Sequence, residues 1–387
     1  MLTLRRTCYQ PDLWNRIRSD WNPLLASSGS KSAFMAEPWV STWIEVFGPE
    51  LKPECWLFED AERLACGIVL VSLRRERVAG LSVMSAYLNA TGEGLLEAEH
   101  NAVVCRPGFF EGVVCALVTT LLDAGVELLR LRGFCSADAQ EIGRQWPKGP
   151  RWGFRSNDYF VDLSVVRQDG KPYLASLSRN TREKVRKSQR IYEASKGALD
   201  CTRIKRGSSQ YDAVFREMCD LHQARWVGRN RAGAFADPRV RDFHDRLSQI
   251  SASDLELVRI TSGLQTVGVL YMLLHEGRVN FYQSGLCYVS DGRCKPGLVA
   301  HVLAIQVYAD AGHAEYDFLG GDPGEVRYKQ SLSNAQRELA WQNLGVASVK
   351  MQMIALLRYA GIAVRDTLSL FNARIRNGAP SPGSTEH

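Results

Sequence analysis

The sequence predicts an α/β protein made of two tandem copies of one module, followed by a basic helical tail. The first observation is a repeat. A Cys-basic-Pro-Gly turn, an apolar stretch, an Ala-Gly pair and a strand-like run begin at Cys105 and return from Cys294. The second is a repeated hairpin, rich in branched residues that favour strands, with an early glycine at Gly67 and Gly268. The repeat spacing is close to half of the 387 residues, which indicates two full domains rather than a solenoid.

The first copy is predicted to begin with helices and to continue as an α/β unit. Tryptophan and other apolar residues recur at helical spacing between Pro11 and Gly48, which predicts helices with a buried aromatic face. Cys55–Leu88 is expected to supply strands, Phe109–Asp123 a helix and Val126–Leu131 a further strand. We therefore assign residues 1–164 to the first domain.

The second copy is assigned to residues 165–345 and repeats this order after a highly charged helix, Ser178–Lys196. Its predicted strand Arg278–Leu286 leads into the second Pro-Gly turn. A helix at Leu298–Ala311 and a strand at Ala314–Leu319 are expected to follow. The two copies therefore share the order strand, Pro-Gly turn, helix and strand.

The tail is predicted to be a basic amphipathic helix at residues 346–376, with disorder from 377 to 387. Such a helix either packs on the domains or on a second subunit, or lies on an anionic membrane surface. No apolar run is long enough to span a bilayer, and the first residues lack the apolar core of a signal peptide. A cytoplasmic location is therefore expected.

Composition narrows the range of ligands. A net charge of +6 permits an anionic ligand but is too low and too dispersed for a dedicated nucleic-acid binder, so no DNA partner is expected. The ten cysteines form no C-x-x-C pair and no Cys/His ligand spacing, so no metal is expected.

The second Pro-Gly turn has the features of a phosphate-binding helix start. Proline suits the first helical turn, where its missing N–H is not needed. The free amides and the macrodipole at such a start attract anions. Arg293 and Lys295 add positive charge, whereas the first turn has only Arg106 in the equivalent loop. The second copy is therefore the predicted site of a pyrophosphate, and the first is expected to be a degenerate copy.

Seven short blocks within residues 155–335 resemble an acetyltransferase branch of the GNAT superfamily. This branch is associated with cellulose and exopolysaccharide synthesis and is related to the Fem-type peptidyltransferases. The blocks are Ser178–Arg182, Leu221–Trp226, Gly233–Phe235, Phe281–Gly285, Pro296–Gly297, Tyr316–Gly321 and Tyr328–Lys329. The usual GNAT phosphate signature, Arg/Gln-x-x-Gly-x-Gly/Ala, is not intact.

The resemblance implies tandem GNAT-like domains. Each would have a mixed central sheet with helices on both faces, splayed between its fourth and fifth strands to admit an acyl-CoA. Acetyl-CoA or another acyl-CoA would be the co-substrate. The residues implied for its binding are Gly285, Leu286, Cys287, Arg293, Lys295, Gly297 and Leu298.

Catalysis in such a fold requires a proton acceptor, a proton donor and groups that stabilise an oxyanion. The candidates for these roles are His222, Asp317, Asp322 and Tyr328. Recognition of the acceptor is assigned to residues of the expected cleft and of a glycine-bearing loop, because loops often carry recognition. These residues are Arg225, Trp226, Phe235, Asp237, Tyr282, Gln283 and Lys329.

The sequence thus predicts an acyl-CoA-dependent N- or O-acyltransferase that attacks the thioester directly. The expected acceptor is an amine or hydroxyl of a sugar, a polysaccharide precursor or a related small molecule. Two alternatives remain open: a Fem-like transferase that uses aminoacyl-tRNA, and a non-catalytic scaffold for polysaccharide synthesis. Only the first alternative requires a tRNA partner.

Overall fold

The computed structural model describes residues 2–91, 96, 98–229, 232–250, 254–320 and 326–360. The predicted α/β class is confirmed, with helices on both faces of a mixed sheet. The elements of the first half are β1 (Thr3–Thr7), α1 (Leu13–Ser28), α2 (Glu37–Leu51), β2 (Glu54–Glu59), β3 (Ala65–Val78), β4 (Leu81–Leu88), β5 (Val104–Cys105), α3 (Phe110–Asp123), β6 (Leu128–Cys135), α4 (Ser136–Gln145) and β7 (Arg151–Asp162).

The second half repeats this order after three helices. Its elements are α5 (Leu163–Gln168), α6 (Tyr173–Ser176), α7 (Arg179–Lys196), β8 (Leu199–Lys205), α8 (Tyr211–Val227), a 3-10 turn (Ala234–Ala236), α9 (Pro238–Gln249), β9 (Leu255–Ser262), β10 (Gln265–His275), β11 (Arg278–Leu286), α10 (Pro296–Asp310), β12 (Glu315–Asp317), α11 (Val326–Leu332), β13 (Ala335–Gly345) and α12 (349–360). In both halves a strand hairpin precedes the Pro-Gly turn, and a helix and a parallel strand follow it.

The two halves share one continuous sheet, because two strands cross between them. β7 pairs with β12 of the second half, and β13 pairs with both β7 and β6 of the first. β7 and β13 approach closely at Gly153, because a Cβ on this residue would lie 2.0 Å from the carbonyl oxygen of Trp341. The predicted pair of central sheets is therefore joined edge to edge. The boundary at residue 164 stays a prediction.

A hydrophobic core also joins the halves on one face of the sheet. The aromatic residues predicted to be buried in α1 and α2 are buried, including Trp21, Trp39 and Trp43. Trp39 packs against Phe243 of α9 and Tyr282 of β11, with ring centroids 4.7 and 5.5 Å apart. On the opposite face, α10 and α7 pack on the second-half strands. The helices of the first half thus cover part of the second half.

The tail helix packs on the first half of the protein. Met351 and Ile354 of α12 are buried against Val78, Val83 and Leu128. This contact agrees with the packing alternative for the start of the tail. The rest of the predicted tail helix and the segment expected to be disordered lie outside the described residues. No helix in the described ranges is long and apolar enough to cross a membrane.

Candidate functional site

A gap opens in the sheet between β11 and β12. The two strands pair only where Arg278–Asn280 lies beside Glu315–Asp317. β11 then continues to Leu286, whereas Phe318 turns away and donates its backbone N–H to Tyr159 of β7. The splay predicted between these two strands is therefore confirmed, and residues 281–286 of β11 form one wall of the gap.

Protein groups already occupy part of this wall. The carbonyl oxygen of Ser284 lies 3.0 Å from Nδ1 of His222. The backbone N–H of Ser284 donates to Oε1 of Gln283 at 3.1 Å. The N–H of Cys287 points the other way and donates to Val267 of β10. Because successive strand residues alternate the direction of their backbone groups, Leu286 presents its N–H and carbonyl to the gap. Of the backbone groups predicted to bind the cofactor, those of Leu286 are the best placed.

Gly285 is needed for helix packing. A Cβ at this position would lie 2.3 Å from the carbonyl oxygen of Met218 in α8, so only glycine lets α8 approach β11 this closely. The predicted cofactor residue therefore has a structural role that the sequence did not indicate.

A bulge changes the expected alternation at Tyr282 and Gln283. β10 pairs Tyr271 with Gln283 and Met272 with Phe281, which leaves Tyr282 as an extra residue. Such a bulge re-aims side chains. Tyr282 packs against Phe34 and Trp39 on the face covered by the first half, and Gln283 lies opposite Tyr271 on the same face. The two side chains therefore lie on the same face of the sheet, whereas the regular alternation of a strand would place them on opposite faces.

The start of α10 lies at the mouth of the gap. The first four N–H groups of a helix have no partner within it. The N–H of Lys295, just before the helix, donates to Oγ of Ser188 in α7, which fixes the helix start against α7. Gly297 borders the gap, since a Cβ on it would lie 3.3 Å from Leu286. The amides of Gly297 and Leu298 thus belong to a first helical turn beside the open edge.

The two basic residues before α10 differ in their environment. Arg293 donates from Nη2 to Oδ2 of Asp291 at 2.6 Å and from Nε to Oδ1 at 2.9 Å. These hydrogen bonds lower the pKa of Asp291 to about 2, so the carboxylate remains ionised. The side chain of Lys295 is exposed and forms no ion pair with any described residue. Lys295 is therefore the more available cation.

A buried ionic cluster lies where β12 ends. Asp317 is fully buried, and its Oδ2 lies 2.6 Å from Nη2 of Arg337 and 3.0 Å from Nε2 of His100. Against the effect of burial, these contacts hold the pKa of Asp317 well below its usual range. Its Oδ1 accepts the N–H of Leu319. Asp317 thus fixes the chain after β12, and its low basicity does not suit a general base.

Asp158 of β7 lies beside Asp317 and behaves differently. Burial, and then the negative charge of Asp317, raise the pKa of Asp158 well above its usual range. Its Oδ2 accepts a hydrogen bond from Nε of Arg337 at 2.6 Å. Burial also lowers the pKa of His100, in spite of the nearby Asp317. The cluster thus joins a first-half loop, β7, β12 and β13.

Two side chains brace the backbone after β12. The N–H of Gly320 donates to Oε2 of Glu99 at 2.5 Å, and Lys329 donates to the carbonyl oxygens of Leu319 and Gly320 at 2.8 and 2.6 Å. A Cβ on Gly320 would lie 2.9 Å from the Trp341 ring. Gly320 therefore permits close packing by the protein itself, and Lys329, predicted to bind substrate, is buried in this bracing.

Tyr328 of α11 stacks on His301 of α10, with ring centroids 5.8 Å apart. His301 in turn contacts Phe281, the first residue of β11 beyond the paired segment, at 4.5 Å. Burial, with a smaller effect of Lys329, lowers the pKa of His301 to about 3. Tyr328 therefore lies close to the floor of the gap. Asp322, the remaining catalytic candidate, lies outside the described residues.

The other predicted residues have identifiable structural contacts. His222 is buried, and its Nε2 accepts the N–H of Ala234 while Nδ1 faces Ser284, so both ring nitrogens are engaged by backbone groups. Phe235 is fully buried, and its ring centroid lies 5.4 Å from that of His222. Asp237 caps α9 by accepting the N–H of Arg239.

Arg225 and Trp226, at the end of α8, complete the predicted set. The Arg225 guanidinium lies 4.3 Å from the ring centroid of Tyr288, just beyond β11. The Trp226 ring lies 6.0 Å from that of His222. These two residues are near the outer end of β11, whereas Asp317 and Lys329 are at the inner end of the gap.

The corresponding gap in the first half is filled by its own chain. β4 and β6 pair only at Ser85–Tyr87, as the splay requires. Beyond that point, Asn101 bridges to Phe134 of β6 and donates from Nδ2 to the carbonyl of Arg132 at 2.7 Å. From the other side, Asn89 donates to the carbonyl of Ala102 at 2.7 Å. This filling loop, residues 98–102, also carries Glu99 and His100 to the second half.

Residues 179–330 match the family model described as an acetyltransferase (GNAT) domain, which is less than half of the chain. Over these residues the second half is therefore similar to a GNAT acetyltransferase domain, in agreement with the resemblance found in the sequence. The match ends before β13, which pairs with β7 and β6 of the first half. No curated protein sequence matches this chain significantly.

Solved structures share the fold across both halves at low sequence identity. FemX covers 91% of this chain and 100% of its own at 10% identity, with a TM-score of 0.54. A conserved protein of unknown function from Bacteroides thetaiotaomicron covers 88% and 100% at 10% identity, with a TM-score of 0.53. The C-terminal domain of a putative lysylphosphatidylglycerol synthetase from Agrobacterium fabrum covers 90% and 97% at 10% identity, with a TM-score of 0.51. These similarities concern the fold.

Proposed function

We propose that the second half transfers an acyl group, most simply acetyl, from coenzyme A to an amine or hydroxyl of a small acceptor. The observation that carries this proposal is the edge of β11 beyond Asn280, which pairs with no described strand and where the backbone of Leu286 faces the gap, with the start of α10 at the mouth of the gap. A pantetheine arm carries amide groups that can pair with a free strand edge. The GNAT family match over the same elements supports the assignment.

In this proposal the backbone of Leu286 pairs with the pantetheine arm, and the first turn of α10 binds the pyrophosphate at Gly297 and Leu298. Lys295 adds a charge-assisted contact, since no described carboxylate holds it. Lys187 of α7 is also exposed, and it is close enough to Asp291 to affect its pKa. The exposed basic side of α7 therefore continues the positive surface around the helix start.

The proposed reaction is direct acyl transfer. The acceptor nitrogen or oxygen forms a bond to the thioester carbonyl carbon, and the carbon–sulfur bond then breaks to release a thiolate. Tyr328 is the proposed donor of the proton to that sulfur, because it lies by the floor of the gap. The acceptor loses its own proton to solvent or to a group outside the described residues. His222 and Asp317 are assigned to positioning, since their contacts are with backbone and buried partners.

For the acceptor, we propose a sugar, a polysaccharide precursor or a related metabolite, on the basis of the sequence resemblance. Arg225 and Trp226 at the outer end of β11 are the proposed contacts. Phe235 and Asp237 would act indirectly, by holding the loop that supports His222.

Transfer from aminoacyl-tRNA is the second candidate. It is favoured by the similarity of the whole chain to FemX and by the exposed basic residues of α7, Lys184, Arg186, Lys187 and Arg190. It predicts binding of charged tRNA that weakens steeply with salt, as expected when several phosphates are neutralised.

Calorimetric titration of the full chain with acetyl-CoA tests the first proposal. One saturable site per chain is expected, with competition by free coenzyme A. Absence of saturable binding, together with salt-dependent binding of aminoacyl-tRNA, would favour the second candidate. Binding of neither ligand would leave the scaffold alternative.

A further inference from the structure

A second candidate site lies in the buried cluster between the halves, away from the proposed pyrophosphate site. Ligand-type atoms of Glu99, His100 and Asp158 all lie within 4.8 Å of one another. Glu99 and Asp158 are 3% and 0% exposed, and the side chain of His100 is 9% exposed. Two of these residues come from the loop that fills the first cleft, and the third comes from β7.

Two buried polar atoms of these three candidate ligands have no hydrogen-bond partner among the described residues. The first is Oδ1 of Asp158, whose other oxygen is held by Arg337. The second is Nε2 of His100. It lies 3.0 Å from Asp317 and 3.5 Å from Asp158, but it forms no hydrogen bond of standard geometry with either carboxylate. Proximity alone therefore does not satisfy this nitrogen, and native proteins rarely leave such atoms without a partner.

The cluster also brings several acidic and basic side chains together. The carboxylates in contact with its cations are those of Asp158, Glu315 and Asp317, and Glu99 adds a further one. The cations are Arg337 and Arg278, and Lys329 lies on the other side of Gly320. Buried charges require compensation by a partner or a metal ion.

The remaining contacts orient the candidate ligands as outer-shell partners orient metal ligands. Arg337 holds one oxygen of Asp158, and the N–H of Gly320 holds one oxygen of Glu99. We propose that Glu99, His100 and Asp158 bind one divalent first-row transition metal ion, Zn²⁺ or Mn²⁺, which joins the first-half loop to β7. One imidazole with two carboxylates suits these ions better than Mg²⁺ or Ca²⁺, which prefer oxygen ligands alone. The site is structural and does not depend on the proposed acyl transfer.

The test uses untagged full-length protein. Metal content is measured on the protein as purified without chelator, and stripped protein is then titrated with Zn²⁺, Mn²⁺ and Mg²⁺ separately. We expect one equivalent of Zn²⁺ or Mn²⁺ per chain and no saturable binding of Mg²⁺. The melting temperature should rise by about 3 °C when the metal is at roughly a hundredfold its Kd. Because the chain has ten free cysteines that attract zinc, Mn²⁺ is the more selective probe.

Variants separate this site from adventitious binding. H100Q and D158N should each weaken Mn²⁺ binding roughly tenfold or more, whereas H275Q, at a histidine outside the cluster, should not change it. If H100Q fails to fold, E99Q offers a milder test of the same ligand set. Absence of bound metal together with no saturable Zn²⁺ or Mn²⁺ titration would overturn the proposal. So would equal affinities of the wild type and the folded cluster variants.

Discussion

The two clefts of the protein begin alike and end differently. In each half a parallel strand pair separates after three paired positions, at Ser85–Tyr87 in the first and at Arg278–Asn280 in the second. In the first half the separated edges are rejoined by the loop at residues 98–102 through Asn101. In the second half, no described strand or loop rejoins β11 to β12 beyond Asn280. Both copies therefore have the splayed strands, but a loop closes the gap between the strands in the first copy.

The Pro-Gly turns differ in the same sense. α10 begins at Pro296, whereas α3 begins only at Phe110, after Pro107. Arg106, the counterpart of Lys295, is tied to Asp60 and Cys66 at 3.0 and 3.1 Å. The basic residue of the closed cleft is thus already neutralised, which explains why sequence similarity at the turn does not imply a second ligand site.

The largest expected difference between the halves is in acid sensitivity. His100 is the single histidine among residues 1–164, whereas the second half buries His244 and His301, both with pKa values lowered by burial to about 3. Each is neutral when folded but binds a proton when unfolded below its ordinary pKa of about 6.5. The free energy of unfolding is therefore highest above about pH 6.5. As the pH falls below that value, each histidine lowers the free energy of unfolding by about 1.4 kcal/mol per pH unit.

Denaturant unfolding between pH 6.5 and 4.5 measures this effect. H244F and H301F should each reduce the slope of unfolding free energy against pH, and the double variant should reduce it most. Equal slopes for the wild type and the double variant would contradict the assignment of acid sensitivity to the second-half core.

The next effect concerns the loop that fills the first cleft. N101A removes the hydrogen bond from Nδ2 of the buried Asn101 to the carbonyl of Arg132, which should cost about 2–3 kcal/mol. As a control, N157A replaces an exposed residue and removes only the 3.3 Å hydrogen bond from Nδ2 to the Tyr159 hydroxyl. It should lower the free energy of unfolding by less than about 0.5 kcal/mol. Hydrogen exchange at β6 should rise in N101A alone. A cost no larger than that of N157A would show that the loop is not what closes the cleft.

The third prediction compares the two basic turn residues. K295A should weaken acetyl-CoA binding about tenfold, equivalent to about 1.4 kcal/mol, because a charge-assisted phosphate contact is lost. R106A should leave the affinity unchanged, since Arg106 already pairs with Asp60 in the closed half. Calorimetric titration of both variants with acetyl-CoA measures the two affinities. A larger loss of affinity in R106A than in K295A would place the cofactor in the first half and contradict the proposal.

The sequence predicted local features well and long-range features poorly. The Pro-Gly turn, the helix after it and the splayed strands follow from contiguous residues, and the structure contains them. Glu99, His100, Asp158 and Arg337 were missed because their meeting depends on a first-half loop and on β13 crossing to the other half. The charge of half-buried Arg337, within the strand β13, was the one available signal. The bulge at Tyr282 likewise depends on pairing with β10, which no local pattern encodes.

The smallest predicted effect is at Arg293, and it tests whether charge near the helix start is enough for binding. Asp291 accepts a double hydrogen bond from this guanidinium, so R293A should change acetyl-CoA affinity less than about threefold. D291A should tighten binding, because it frees Arg293 and removes a carboxylate whose pKa of about 2 keeps it charged near the phosphates. Titrations of R293A, D291A and the double variant give the coupling between the two residues. If R293A weakens binding as much as K295A, Arg293 must leave Asp291 when the ligand binds, and the open cleft would rearrange on binding.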